Sequence, residues 1–166
     1  MGPDFGILPP RRPIGSPAME ARVEFPLEAI LPHRPPMRFL DAAGPAGAAS
    51  MEAVWTTPTD GPWVAGGLVH RSALVEFAAQ TAAALAGVAR WERGLPAAPG
   101  YLGGIDGFRI SGDVRAGERL RCGVEIRFRM GGVVRSSCVV RRDDGTEVAA
   151  GELSLVAPPD ADGGAV

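Results

Sequence analysis

The chain has 166 residues, 17 basic and 19 acidic side chains, and a net charge of −2 at pH 7. This length fits one domain with a sizeable core and disfavours a second, and the near balance of charge gives no support to general nucleic-acid binding. Cys122 and Cys138 have no histidine nearby in the sequence, so they fit free thiols in a reducing cytoplasm and not a zinc site.

Both ends of the chain have compositions typical of flexible segments. Residues 1–18 contain five prolines, and residues 157–166 are rich in Pro, Asp, Gly and Ala. We expect a flexible N-terminal segment over 1–18, a folded domain over 19–156 and a flexible tail over 157–166, with Met19 as an alternative start. The first residues contain no apolar run typical of a signal peptide, so we expect a cytoplasmic protein.

The first predicted elements surround a proline-rich segment. Residues 25–31 are expected to form a short helix, with Pro26 near its first turn. Residues 37–42 form one candidate strand after the prolines. Residues 50–57 form a second candidate strand, which ends at a turn-forming cluster of Pro, Thr, Asp and Gly.

His33 lies in this proline-rich segment, Leu31-Pro32-His33-Arg34-Pro35-Pro36-Met37. Each proline fixes its own φ at about −65° and biases the preceding residue away from helix. A histidine on so stiff a backbone suits a positioned base, because an imidazole accepts a proton near neutral pH. The alternative interpretation is a loop histidine between turn prolines.

A long helix is predicted over Ser72–Arg93, where alanine and leucine dominate and proline is absent. Ser72 is a candidate N-cap. The helix is apolar on nearly every side up to Val88, which is typical of a helix enclosed by the rest of its fold, and its polar residues argue against a membrane span. Glu76 and Gln80 are four residues apart and share one face. Because a carboxylate there must be paired, protonated or facing a cavity, Glu76 is a candidate general acid; the alternative is a structural glutamate.

Strand patterns follow the helix to the end of the folded part. They cover residues 101–110, 119–129, 133–142 and 147–156, with a Gly131-Gly132 turn between the second and third. In residues 119–129 alternate positions up to Phe128 are apolar and the others are mostly arginine, which indicates a half-solvated strand. The arginine face is interpreted as a solvated surface, with docking of an acidic partner as the alternative. The pattern predicts an α+β fold in which an antiparallel sheet wraps around one helix.

Three motifs, in order, resemble the hotdog-fold 3-hydroxyacyl-acyl carrier protein dehydratases of fatty acid and polyketide synthesis. Their order and spacing hold from about Pro26 to Val156. The motifs are the segment 31–37, the helical Glu76-Phe77-Ala78-Ala79-Gln80, and Leu102-Gly103-Gly104-Ile105-Asp106-Gly107-Phe108-Arg109 followed by Ala116-Gly117-Glu118-Arg119-Leu120.

The resemblance implies a cofactor-free and metal-free reaction in which a 3-hydroxyacyl thioester loses water to give a trans-2-enoyl thioester. His33 would remove the α proton, and Glu76, supplied by the partner protomer of a dimer, would protonate the departing hydroxyl. Gln80 would order the pocket. The substrate would be carried on acyl carrier protein or coenzyme A, in a homodimer or in a heterodimer with another hotdog subunit, with no nucleic acid and no membrane involved.

The segment before the helix departs from the family pattern. Where the family has His-Phe-Pro-Gly and a later Pro-Gly pair, this chain has Pro62-Trp63-Val64-Ala65 and then His70-Arg71. His70 and Arg71 are therefore candidate substrate-binding residues, and the alternative for His70 is a residue at the helix mouth without a role in binding. The departure resembles divergent dehydratase-like hotdog proteins encoded with aryl polyene and other polyketide-type clusters.

Two alternative functions remain open at this level. A non-catalytic partner subunit would explain the altered helix mouth at His70-Arg71. A hotdog acyl thioesterase would explain the Gly66-Gly67 pair ahead of an acid-bearing helix, although it gives His33 no role.

Overall fold

A long helix is enclosed by an antiparallel sheet in the computed structural model, which describes residues 25–156. The flexible segments predicted for 1–18 and 157–166 lie outside the described residues. The elements in chain order are α1 (Leu27–Ile30), β1 (Ala42–Ala46), β2 (Ser50–Thr56), β3 (Val64–Ala65), β4 (Leu68–Val69), α2 (Arg71–Trp91), β5 (Tyr101–Ile110), β6 (Arg119–Met130), β7 (Val133–Arg142) and β8 (Glu147–Val156).

Six strands form the main sheet in the order β1-β2-β6-β7-β8-β5, and every neighbouring pair is antiparallel. The two short strands β3 and β4 form a separate hairpin just before α2. Gly66 and Gly67 make its two-residue turn, with φ values of 59° and 75°. Positive φ at both central positions is what such a hairpin turn requires, and glycine adopts it without strain.

The helix α2 forms the centre of the core and contacts every strand of the main sheet. Its long apolar stretch meets the length and composition expected of a membrane-spanning helix, but 67% of that stretch is buried inside the fold. The fully buried side chains around it come from the loop after α1, from α2 and from the inner faces of the strands, including Phe39, Leu74, Phe77, Leu120, Val140 and Leu153. The α+β prediction is therefore confirmed.

The later strands and the long helix agree closely with the sequence pattern, but the strand predicted over residues 37–42 is wrong. Strand β1 begins at Ala42. The backbone N–H of Phe39 and the carbonyl of Met37 instead bind the side chain of Gln80. The side chain of Gln80 supplies hydrogen bonds that a neighbouring strand would otherwise supply. This apolar segment therefore forms an irregular loop.

Strand β6 contains an irregularity that reverses the prediction for Phe128. The pairing register with β7 shifts between Ile126 and Phe128, so that Ile126 is opposite Ser136 and Phe128 is opposite Arg135. Because Arg135 and Ser136 are successive residues of a strand, they point to opposite faces. Phe128 therefore lies on the outer face and is exposed, whereas the pattern placed it on the inner face with Val124.

Three arginines of the predicted arginine face, Arg119, Arg121 and Arg127, have acidic partners within the chain. Arg121 contacts both Glu52 and Asp143 at 3.2 Å, and Arg127 lies 3.1 Å from Glu125. These partners neutralise much of the positive charge locally. The arrangement favours the interpretation as a solvated strand face over a docking surface for an acidic partner.

Candidate functional site

A loop of residues 31–41, here called the histidine loop, connects α1 to β1 and contains His33. Its start is fixed by the contact of α1 with α2. Gly87 of α2 lies directly beneath the backbone of Ile30, and a Cβ at this position would overlap the carbonyl oxygen of Ile30. Glycine is therefore required here for close packing of the two helices, and Leu31 follows as a fully buried side chain.

The end of the histidine loop is attached to β2. The N–H of Asp41 donates to the carbonyl of Val54 at 2.8 Å, and the carboxylate of Asp41 accepts from the N–H of Thr56 at 2.6 Å. Both contacts lie within hydrogen-bonding distance. The loop is therefore anchored at both ends, although it contains no regular secondary structure between α1 and β1.

Gln80 joins the histidine loop to the helix that carries Glu76. Its Oε1 accepts from the N–H of Phe39 at 2.8 Å, and its Nε2 donates to the carbonyl of Met37 at 2.8 Å and to Oε1 of Glu76 at 2.7 Å. The side chain is almost fully buried. Buried amide groups need such partners, so Gln80 satisfies itself while it fixes the loop and the carboxylate together.

His33 and Glu76 face each other, with 3.8 Å between Nε2 of His33 and Oε1 of Glu76. Each side chain is 35% exposed, so the pair is partly accessible to solvent and does not lie in the closed core. Both residues belong to the same chain, so this pair forms within one protomer. Supply of the acid by a partner protomer remains a prediction.

The hydrogen bonds identify the atoms that remain available for chemistry. Oε1 of Glu76 accepts from Gln80, so a proton on a neutral Glu76 is carried by Oε2. Nδ1 of His33 is buried and has no hydrogen-bond partner among residues 25–156. The other imidazole nitrogen, Nε2, is the one that faces the carboxylate of Glu76.

His70 and Arg71 lie at the N-terminus of α2. His70, and not the predicted Ser72, is the N-cap: its Nδ1 lies 3.4 Å from the N–H of Ser72 and 2.7 Å from the Ser72 hydroxyl oxygen. The guanidinium of Arg71 lies 3.0 Å from Asp113 and both side chains are exposed. The N-cap role explains His70 structurally, and the substrate-binding role of both residues remains a prediction.

Four aromatic side chains lie between α2 and the sheet, next to the histidine loop. The ring of Phe39 stacks on Trp55 at 4.8 Å and meets Trp63 edge-on at 5.0 Å, and Phe77 lies 5.5 Å from Trp55. From the sequence, Trp63 was only part of a departure from the family pattern. Its edge-on contact with Phe39, a residue far from it in the chain, has no local sequence signal.

In the described part of the chain, neither the two cysteines nor any cluster of metal-binding side chains indicates a nucleophilic or metal site. Burial raises the pKa of Cys138 to about 12, and burial with the nearby Cys138 also raises the pKa of Cys122. Such thiols are poor nucleophiles because the reactive thiolate is suppressed. Over residues 25–156, no cluster of three or more His, Cys, Asp or Glu side chains suited to a metal ion is found.

Comparison with solved structures identifies the class of fold. A chain of the dehydratase heterocomplex ApeI:P from Xenorhabdus doucetiae is 21% identical, with a TM-score of 0.75, and the match covers 82% of this chain and 93% of that chain. A hypothetical thioesterase with coenzyme A from Streptococcus pneumoniae is 8% identical, with a TM-score of 0.56 and coverage of 72% and 88%. The E. coli PaaI protein is 12% identical, with a TM-score of 0.55 and coverage of 69% and 80%. The fold is a hotdog fold, as predicted.

The family follows from a match to sequence. The family described as ApeP-like, ApeP dehydratase, matches residues 25–164, which is most of the chain. The protein therefore belongs to the ApeP-like dehydratase family, in agreement with the predicted divergent hotdog dehydratase. Among curated protein sequences, no significant match is found.

Proposed function

We propose that this protein is a 3-hydroxyacyl-acyl carrier protein dehydratase, with His33 as base and Glu76 as acid. The observation that carries the proposal is the 3.8 Å separation of Nε2 of His33 and Oε1 of Glu76. Gln80 holds the carboxylate in place through a 2.7 Å hydrogen bond. Elimination of water across two adjacent carbons needs one group that accepts a proton and one that donates a proton, close to both carbons.

The proposed step is balanced by these two groups alone. Nε2 of His33 takes the proton from C2 of the 3-hydroxyacyl thioester, and the C2–H electron pair becomes the C2–C3 double bond. The C3–O bond breaks, and the proton on Oε2 of Glu76 goes to the departing hydroxyl, which leaves as water. The product is the trans-2-enoyl thioester, and proton transfer from His33 back to Glu76 restores the starting state.

Membership of the ApeP-like family supports this chemistry, and the helix mouth supports substrate binding. The first turn of a helix has backbone N–H groups without partners inside the helix and a favourable dipole for negative charge. We propose that the backbone N–H of Arg71 and the polar groups of His70 meet the thioester there, that no cofactor takes part, and that the protein works in the cytoplasm.

The test compares His33→Ala and Glu76→Gln with Glu92→Gln, a matched control at the C-terminal end of the same helix. Purified proteins are assayed for interconversion of 3-hydroxyacyl and trans-2-enoyl thioesters on acyl carrier protein and coenzyme A, alone and with a second hotdog subunit. We expect about 10²- to 10⁴-fold lower turnover for the first two variants and unchanged turnover for the control. Turnover like that of the original protein in either variant removes that residue from the mechanism.

A non-catalytic partner subunit is the second candidate, and two observations favour it. The structural match is to a chain of a dehydratase heterocomplex. Strand β5 is an edge strand of the sheet and exposes Tyr101, Leu102 and Ile105, which would suit contact with another hotdog subunit. Under this alternative, His33→Ala leaves the activity of the assembled heteromer unchanged.

The thioesterase alternative has lost its sequence argument. Gly66 and Gly67 form the turn of the β3–β4 hairpin, where both adopt positive φ, so the glycine pair is explained by backbone geometry. Release of free thiol from an acyl thioester remains the direct measurement for this activity.

A further inference from the structure

We infer that Arg34 is a positioning residue that holds His33 against Glu76 by binding the backbone of the histidine loop. This inference rests on the proposed function of the His33–Glu76 pair and adds a residue that does not touch the reacting groups. The supporting observation is the set of backbone carbonyls to which the guanidinium of Arg34 donates.

Arg34 donates to three backbone carbonyls. Nη1 donates to the carbonyl of Leu31 at 2.8 Å and to that of His33 at 3.0 Å, and Nη2 donates to that of Glu28 at 3.2 Å. The carbonyl of Arg34 itself accepts from the N–H of Met37 at 2.9 Å. The planar fork of a guanidinium can satisfy several acceptors in fixed directions at once.

These carbonyls belong to α1 and to the start of the histidine loop, and the relative position of the two determines where His33 points. Glu28 lies in α1, which Gly87 fixes on α2, and Leu31 and His33 begin the loop. Carbonyls at the end of a helix have no partner inside it, so a donor from a nearby side chain stabilises them. Arg34 thus connects α1 to the peptide group that carries the His33 side chain.

This connection supplies a restraint that the imidazole lacks. Nδ1 of His33 has no hydrogen-bond partner in the described part of the chain, and Nε2 is 3.8 Å from Oε1 of Glu76, beyond hydrogen-bonding distance. No direct hydrogen bond therefore orients the ring. Glu76 is oriented by Gln80, whereas the placement of His33 depends on its backbone and hence on Arg34.

Loss of this restraint is expected to reduce kcat without a comparable change in KM. A misplacement of a catalytic group by about 1 Å costs on the order of 100-fold in rate, so we expect Arg34→Met to lower kcat by about 10- to 100-fold. Arg34→Lys retains one donor group without the fork and is expected to recover part of the loss. Arg38→Met is the matched control, because over residues 25–156 the only ion pair of the Arg38 guanidinium is with Glu28, at 3.8 Å.

A second readout does not depend on activity. The chain has only two histidines, so histidine labelled with ¹⁵N gives two imidazoles, and His70→Asn identifies the signals of His33. At one fixed pH, Glu76→Gln is expected to shift the His33 imidazole nitrogens in the original protein. In Arg34→Met the same substitution is expected to shift them by less than half as much, and in Arg38→Met by the same amount as in the original.

The outcomes separate the two proposals. Equal coupling between His33 and Glu76 in Arg34→Met and in the original protein, in a folded sample, overturns the positioning role. Should Arg34→Met fail to fold, equal coupling in Arg34→Gln, whose shorter side chain removes both Nη donors, does the same. Reduced coupling in a protein without dehydratase activity supports the positioning role and contradicts the proposed function. Reduced coupling together with lower kcat supports both.

Discussion

The histidine loop is held by hydrogen bonds from side chains to its backbone, whereas the core around α2 is held by burial of apolar side chains. Arg34 and Gln80 bind five backbone groups, one in α1 and four in the histidine loop, from Glu28 to Phe39. Within the core, the regular spacing of apolar residues on α2 and β6–β8 brings their side chains together. A hydrogen bond constrains both the distance and the direction of its two partners, and one substitution can remove it. The stabilisation from burial is instead divided among many small contacts. The hydrogen bonds therefore lie where the proposed chemistry needs the backbone around His33 to be held in a defined position.

The largest effect on stability is expected from Gln80→Leu, which keeps the size of the side chain and removes its polar atoms. The N–H of Phe39, which is buried, and the carbonyl of Met37, which is partly buried, then lose their partners. Each unsatisfied buried group costs about 1–3 kcal/mol, so we expect the free energy of unfolding to fall by about 3 kcal/mol in urea denaturation. Hydrogen exchange should accelerate first at Phe39; an unchanged exchange rate there would contradict the role assigned to Gln80.

Gly87→Ala tests the contact between α1 and α2 at the start of the histidine loop. The sign of the change in unfolding free energy decides the result. In an open helix position, alanine in place of glycine stabilises by about 1 kcal/mol. Because the added Cβ would overlap the carbonyl of Ile30, we expect destabilisation by about 1–3 kcal/mol. A stabilised variant would show that α1 moves away from α2 at little cost.

The buried thiols of the core make the stability of the folded chain depend on pH. Burial raises the pKa of Cys138 from 9.0 to about 12, and that of Cys122 is raised as well. Above pH 9 the unfolded chain releases these protons while the folded chain keeps them, so stability is fully present below pH 9 and is lost as pH rises towards 12. Between pH 9 and pH 10 each thiol accounts for a loss of about 1 kcal/mol.

Cys138→Ala should remove about 1 kcal/mol of this loss, measured as the difference in unfolding free energy between pH 9 and pH 10. The sequence makes the measurement clean, because the chain has no lysine and only one tyrosine to titrate in the same range. His33→Ala, which leaves both thiols in place, serves as the control. An unchanged slope in Cys138→Ala would contradict the burial effect.

The smallest effect is expected at Phe128, where the register shift in β6 turns the ring outward. Phe128→Thr should change the unfolding free energy of the isolated chain by less than about 0.5 kcal/mol, as for other exposed sites. Ile126→Thr, on the inner side of the irregularity, should cost about 1–2 kcal/mol in the same denaturation experiment. Equal costs would place both side chains on the inner face and contradict the register shift.

The sequence alone predicted the elements whose periodicity is strong, because alternation and helical spacing report directly on which side is buried. It also predicted that His33, Glu76 and Gln80 belong together, through the resemblance. It failed at residues 37–42, where an apolar run reads as a strand, and at Phe128, where one extra residue reverses the face. Neither the hydrogen bonds of Gln80 nor a shift in strand register has a local sequence signal.

What the sequence determined is therefore the long helix, most strands of the main sheet and the residue types suited to acid–base chemistry. Only the tertiary structure decided that His33 and Glu76 meet within one chain, that His70 caps α2, and that Arg34 and Gly87 fix the loop from outside the site. The physical reason is that burial follows from residue type and spacing, whereas hydrogen-bond partners far apart in the chain depend on how the packed elements bring them into contact.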